Sequence, residues 1–181
     1  MKLIPLIGAA TLALLAAAPA QAAEKRMVSY DSISPEARKL TGAGLTFVFT
    51  KSLLRTRVLA VHATAVPVGV VVEPSGDGRT NQKLDALMGE DARTGGLYRI
   101  DPEEKQGKVM VEAFCPGSKT GWLAIGAISH AQPLKVHAFG DDPATGEPRL
   151  CAEMEFAYRG EWRMPKPNQA DPTAAVFQPN W

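Results

Sequence analysis

The chain has 181 residues, with 20 Lys and Arg against 19 Asp and Glu, a formal net charge of +1, and 45% hydrophobic residues. That length suits one domain with a real core behind a short leader. The near-neutral balance lacks the basic footprint of a nucleic-acid binder and draws the chain to no broad anionic membrane surface.

The first residues, "MKLIPLIGAATLALLAAAPAQAAEKR", start with a positive Lys2 and continue as an apolar stretch from Leu3 to Ala18. Small residues at Ala20 and Ala22 then suit cleavage after Ala22, so residues 1–22 read as an export signal. A membrane anchor is the rival reading, but the run is short for a span and Pro19 and Gln21 break its end. No cysteine stands near the cleavage point to carry a lipid. Removing 22 of 181 residues leaves 159, with 19 basic groups against 19 acidic ones. The expected location is therefore the periplasm or the extracellular space, with no transmembrane span left after cleavage.

Residues 23–33 look polar and irregular. "SPEARKLTG" predicts a short helix: Ser34 caps, Pro35 suits the first turn, Glu36 favours the positive helix end, and Gly42 stops it. "GLTFVFTK" alternates Leu45, Phe47 and Phe49 with Thr46, Val48 and Thr50, a strand with one buried face. Residues 56–73 are rich in β-branched side chains and are broken by Pro67 and Gly69. They read as two strands or one bent edge strand, with a helix over 52–65 as the alternative. After the turn "EPSGDGRT", the stretch "NQKLDALMG" places Leu84, Leu87 and Met88 on one helical stripe, with Asn81 as cap and Gly89 as stop.

The remainder reads as sheet: "GLYRI" (96–100), "KVMVEAF" (108–114), "GWLAIGAI" (121–128), "PLKVHAF" (133–139) and "RLCAEMEFAY" (149–158). In the last, Leu150, Ala152, Met154, Phe156 and Tyr158 share one face, and Arg149, Cys151, Glu153, Glu155 and Arg159 the other. From residue 160 the chain turns proline-rich and loses its periodicity. Four Thr-Gly pairs precede apolar runs and read as turn punctuation rather than a repeat. The expected fold is mainly β, an antiparallel sandwich or small barrel-like sheet with two short helices, over residues 23–160. Residues 161–181 form a C-terminal arm, and an α+β sheet is the alternative fold.

The stretch "FCPGSKTGW" (114–122) has the look of a phosphate loop, but Ser118 stands where glycine must precede Lys119. Turn chemistry accounts for Gly117, Ser118 and Gly121. Cys115 and Cys151 are the two cysteines, and in an oxidising compartment an even count predicts one disulfide between them. A reactive Cys115 would need a neighbouring base, and His62, His130 and His137 stand in no cysteine-enzyme signature.

Serine-hydrolase signatures are missing, and so are zinc and EF-hand patterns, so no metal or cofactor is called for. Asp141, Asp142 and Glu147 gather in a segment that turn chemistry explains without a cation. His137 with Glu153 and Glu155 is the constellation for acid–base chemistry, should their strands pair. The plain reading of those three is an exposed, charged sheet face. The basic run Lys51, Arg55 and Arg57 reads as a solvated face. Trp122 reads as core, while Trp162 and Trp181 flank the arm and are the candidate binding side chains. A terminal Trp181 also suits a small outer-membrane barrel, although Pro179 interrupts its would-be last strand. The expectation is an exported, non-catalytic binding or envelope-associated module with a protein, peptide or small-molecule partner. An exported hydrolase or lyase using His137, Glu153 and Glu155 is the alternative, and the membrane barrel the third.

Overall fold

The computed structural model describes residues 24–52, 56–65, 69–76, 78–88, 95–101 and 103–164. The export signal, Arg55, Pro67, Trp181 and the arm beyond residue 164 lie outside these. Eight strands follow one another round a closed antiparallel barrel: β1 (Glu24–Ser32), β2 (Gly44–Lys51), β3 (Thr56–Ala63), β4 (Val70–Pro74), β5 (Gly96–Ile100), β6 (Gly121–Ile125), β7 (Leu134–Asp141) and β8 (Pro148–Arg163). Three short helices sit in the connections: α1 (Pro35–Thr41), α2 (Gly78–Leu87) and α3 (Lys105–Phe114). The mainly β, barrel-like expectation holds, with one helix more than the sequence suggests.

Period-2 alternation fills the barrel. Val28 and Tyr30 of β1, Leu45, Phe47 and Phe49 of β2, Leu123 and Ile125 of β6, and Met154 and Phe156 of β8 all point inward and are buried. Truncating one of the larger of these side chains to alanine would cost about 2–5 kcal/mol. Strand order alternates up and down, so the β1–β2 and β5–β6 connections leave the same barrel end. There α1 inserts Ala37 and Leu40, and α3 inserts Met110, Val111 and Phe114, into the main core. The Ser34 hydroxyl caps α1 by accepting the Ala37 N–H at 3.2 Å, and it also accepts the Glu155 N–H of β8 at 3.1 Å. Gly42, with φ 69°, closes the helix by donating to Arg38 O.

β8 is the seam. Its first half pairs with β7 and its second half with β1, and Phe156 stands opposite both Leu134 and Ser32. Each ladder is offset by a bulge, one beside Cys151 and one beside Arg159, which bends the long strand round the wall. The bulge at Cys151 corrects the expected alternation. Leu150 faces outward with Phe139, while Ala152 faces the core.

Further expectations are corrected. Residues 24–32 are not irregular but form β1, with Arg26, Val28 and Tyr30 on the inner face. "KVMVEAF" is not a strand but most of α3, because Gly107, Met110, Val111 and Phe114 recur at helical spacing and all are buried. α2 begins at Gly78 rather than at Asn81, whose amide instead holds Ser75 O at 3.1 Å and accepts the Ser75 hydroxyl at 2.6 Å. Trp122 lies outside the barrel core. It packs with Leu97 and Leu150 against a second cluster of Leu84, Met88, Ala124 and Phe139, by which α2 is held on the outer wall. Strand pairing also extends three residues past 160, and the "GWLAIGAI" strand stops at Ile125.

Candidate functional site

The barrel interior is occupied by side chains, which leaves the wall and the ends as places for a site. β7 and β8 do pair, and their register sets His137 opposite Glu153 and Lys135 opposite Glu155. His137 Nε2 lies 3.9 Å from Glu153 Oε1, and Lys135 Nζ 4.0 Å from Glu155 Oε1. All four residues are on the outer wall. The imidazole is buried between its neighbours, whereas the Glu153 side chain is 67% exposed. The sequence-predicted trio is thus brought onto one face, with the carboxylates in solvent and the imidazole covered.

A groove of about 500 Å³ opens beside this row. Its walls are the β6–β7 connection (Gly126, Ala127, Ser129, Gln132, Pro133), the start of β7 (Leu134, Lys135), Glu155 and the exposed Ile33 just ahead of α1. Glu155 belongs to both features and His137 to the first alone. Loop 126–133 is tied to β8 through His130. His130 Nδ1 and the Tyr158 hydroxyl are 2.9 Å apart, their rings meet edge to face, and Ala131 takes the left-handed conformation at φ 57°. Sequence reasoning missed this loop. Its signal was "SHAQP", a histidine and a proline between two strands.

The "FCPGSKTGW" stretch is a turn packed on the β7–β8 connection. Asp141 Oδ1 accepts the backbone N–H groups of Lys119, at 2.9 Å, and Thr120, while Ser118 Oγ donates to Asp141 O at 2.7 Å. The loop that resembles an anion cradle therefore holds a carboxylate of its own chain. Asp142 accepts from Ala144 N, Thr145 N and Thr145 Oγ1, and the two backbone donors hold its pKa below the usual carboxylate range. Glu147 pairs with Lys83. The three acids of this segment are engaged in turn and surface contacts, and among the described residues no group of three or more His, Cys, Asp and Glu is placed to hold a metal. Cys115 and Cys151 are joined, with Cα atoms 5.4 Å apart, tying the end of α3 to the β8 bulge. Trp162 is exposed at the far end of β8. Lys51 and Arg57 are exposed on β2 and β3 and stand beside different partners in the ladder. Comparisons with protein-family models, with curated proteins and with solved structures find no match.

Proposed function

We propose that the chain is an exported binding module that holds its partner against the outer barrel wall. The carrying observation is the contrast between a barrel interior filled by Tyr30, Phe47, Phe49, Met154 and Phe156 and an open groove at Ile33, Pro133, Leu134 and Glu155. Apolar floor and polar rim together suit recognition of a peptide or protein segment. Export is supported by the N-terminal pattern and by the Cys115–Cys151 bridge, a bond that persists in oxidising compartments. The inside-out logic of a lipid-facing barrel is reversed here: apolar residues point in, while Lys25, Thr46, His62, Glu73, Lys135 and Glu153 point out.

The test is site-specific photo-crosslinking in the producing cell. A crosslinker at Gln132 should trap a defined partner, one at Val109 on α3 should not, and the trapped chain should have lost residues 1–22. Equal yields at both positions would defeat the groove reading. The acid–base alternative rests on the His137–Glu153 register. It replaces the binding reading if a turnover is measured that His137→Ala abolishes while binding at the groove is absent.

A further inference from the structure

A different part of the wall carries two aromatic rings, each resting on a glycine. The ladder runs Gly160 (β8), Ser29 (β1), Thr46 (β2), His62 (β3) as one transverse row. At one end the Trp162 indole covers Gly160, where an added Cβ would come within 3.0 Å of its Cη2 and Cζ2. Trp162 itself is 47% exposed. At the other end the exposed His62 imidazole packs on Gly69, and a Cβ there would come within 2.0 Å of its Cε1, 2.4 Å of Nε2 and 2.5 Å of Nδ1. Between them Ser29 Oγ and Thr46 Oγ1 are paired at 2.7 Å. Three inter-strand steps of about 4.8 Å make the row about 14 Å long. The Asp31–Arg159 ion pair at 3.4 Å borders it.

We propose that this row is a carbohydrate-binding strip for a linear, uncharged pyranose chain. A sugar ring presents an apolar C–H face, which stacks on an indole or imidazole, and hydroxyls around its edge, which a serine–threonine pair meets as donor and acceptor. Close packing of each ring on a glycine restricts its rotamers beforehand, so less side-chain freedom is lost on binding. An added peptide strand is the poorer fit, because it needs an unpaired sheet edge and these four strands are paired with one another along the row. A nucleic acid or acidic polymer is also a poorer fit, since Arg159 beside the row already has Asp31 as its partner. The strip lies on β8, β1, β2 and β3, away from the groove, and stands or falls independently of it.

Calorimetric titration of the processed chain with cellohexaose and with chitohexaose tests this, with a polygalacturonate oligomer of equal length as the anionic control. Saturable binding of one or both neutral chains is expected, and the choice between them shows whether N-acetyl groups are read. Trp162→Ala should weaken binding by about tenfold or more, and Gly69→Val, which evicts the imidazole from its seat, by a smaller factor. Crosslinking at Gln132 should be unchanged in both. Should Trp162→Ala fail to fold, as judged by circular dichroism, Trp162→Phe and Ser29→Ala serve instead, each expected to weaken binding several-fold. No binding of either neutral chain, preference for the anionic oligomer, or full affinity in folded Trp162 variants overturns the proposal.

Discussion

The Tyr98 hydroxyl accepts the backbone N–H of Val58 at 3.1 Å, inside the barrel and across the place where β3 and β4 part. Among the described residues these two strands share two registered pairs, Ala60 with Val71 and Val61 with Val70, before β4 turns to follow β5. Below that point Val58 has no β4 residue opposite it, and a tyrosine from the next strand along supplies the acceptor. Tyr98→Phe should therefore strand a buried N–H and cost about 1–3 kcal/mol in urea unfolding. An unchanged midpoint would mean that the splay between β3 and β4 admits water.

Tyr30 makes the opposite case. Its ring is buried edge-on between Phe47 and Tyr158, and its hydroxyl meets no hydrogen-bond partner among the described residues. Tyr30→Phe should thus stabilise the fold, by about 1 kcal/mol. A loss of stability comparable to that of Tyr98→Phe would reveal a partner for the phenol.

The same residue sets an alkaline limit. Burial first, with Tyr158 and Glu161 adding to it, pushes the Tyr30 phenol up to about 12 from an ordinary value near 10. A raised folded-state pKa means that the contribution is intact below pH 10 and is lost as pH climbs from about 10 to 12. The stability of Tyr30→Phe should fall less steeply over that window than that of the unaltered chain. Superimposable profiles would remove Tyr30 from the account of alkaline unfolding.

The Asp141 cradle gives a graded series. Asp141→Asn keeps an acceptor for the Lys119 and Thr120 amides and should cost little, whereas Asp141→Ala abandons both and should cost about 2 kcal/mol. Gly117, at φ 81° with Pro143 Cγ 3.3 Å from any added Cβ, should lose about 1–2 kcal/mol on change to alanine. Differential scanning calorimetry orders the three. Equal losses for Asp141→Asn and Asp141→Ala would mean that the negative charge, rather than the acceptor oxygen, holds the loop.

Strong alternation made β2, β5, β7 and β8 legible in the sequence, because apolar side chains recur at every second position along the inner face of each. β1 escaped because its inner face mixes Val28 and Tyr30 with Arg26, whose charge is met at the barrel mouth by Glu24 and Glu161. α3 reads as a strand in sequence because Val109 and Val111 are β-branched. The deciding signal was Gly107, which lets the helix approach Asp101 O at the end of β5 more closely than a Cβ would allow. Of the candidate sites, the His137–Glu153 pairing followed from strand register, which alternation foretells. The groove did not, since it depends on how loop 126–133 folds back toward Ile33, a long-range packing outcome with no local periodicity. The Trp162–Ser29–Thr46–His62 row escaped for a related reason: it runs across strands that are distant in sequence.

The Cys115–Cys151 bridge joins elements that the barrel alone does not fasten. Cys115 is the C-terminal cap of α3, donating its N–H to Val111 O at 2.7 Å, and Cys151 occupies the β8 bulge where the ladder to β7 is interrupted. Arg149 reinforces the join by donating from Nη2 to Pro116 O at 2.8 Å. The bridge closes a loop of sequence separation 36, for which the chain-entropy account gives a stabilisation of about 4 kcal/mol. Replacing both cysteines by serine, or unfolding in the presence of a reductant, should lower stability by that order. The barrel itself should survive, because β8 keeps its ladders to β7 and β1 without the bond. Far-ultraviolet circular dichroism should stay unchanged below the transition while the urea midpoint falls. Hydrogen exchange should show the added opening in α3 and the 115–121 turn and leave β1 and β2 protected. A fall in protection spread evenly over all eight strands would instead make the disulfide a condition of barrel closure.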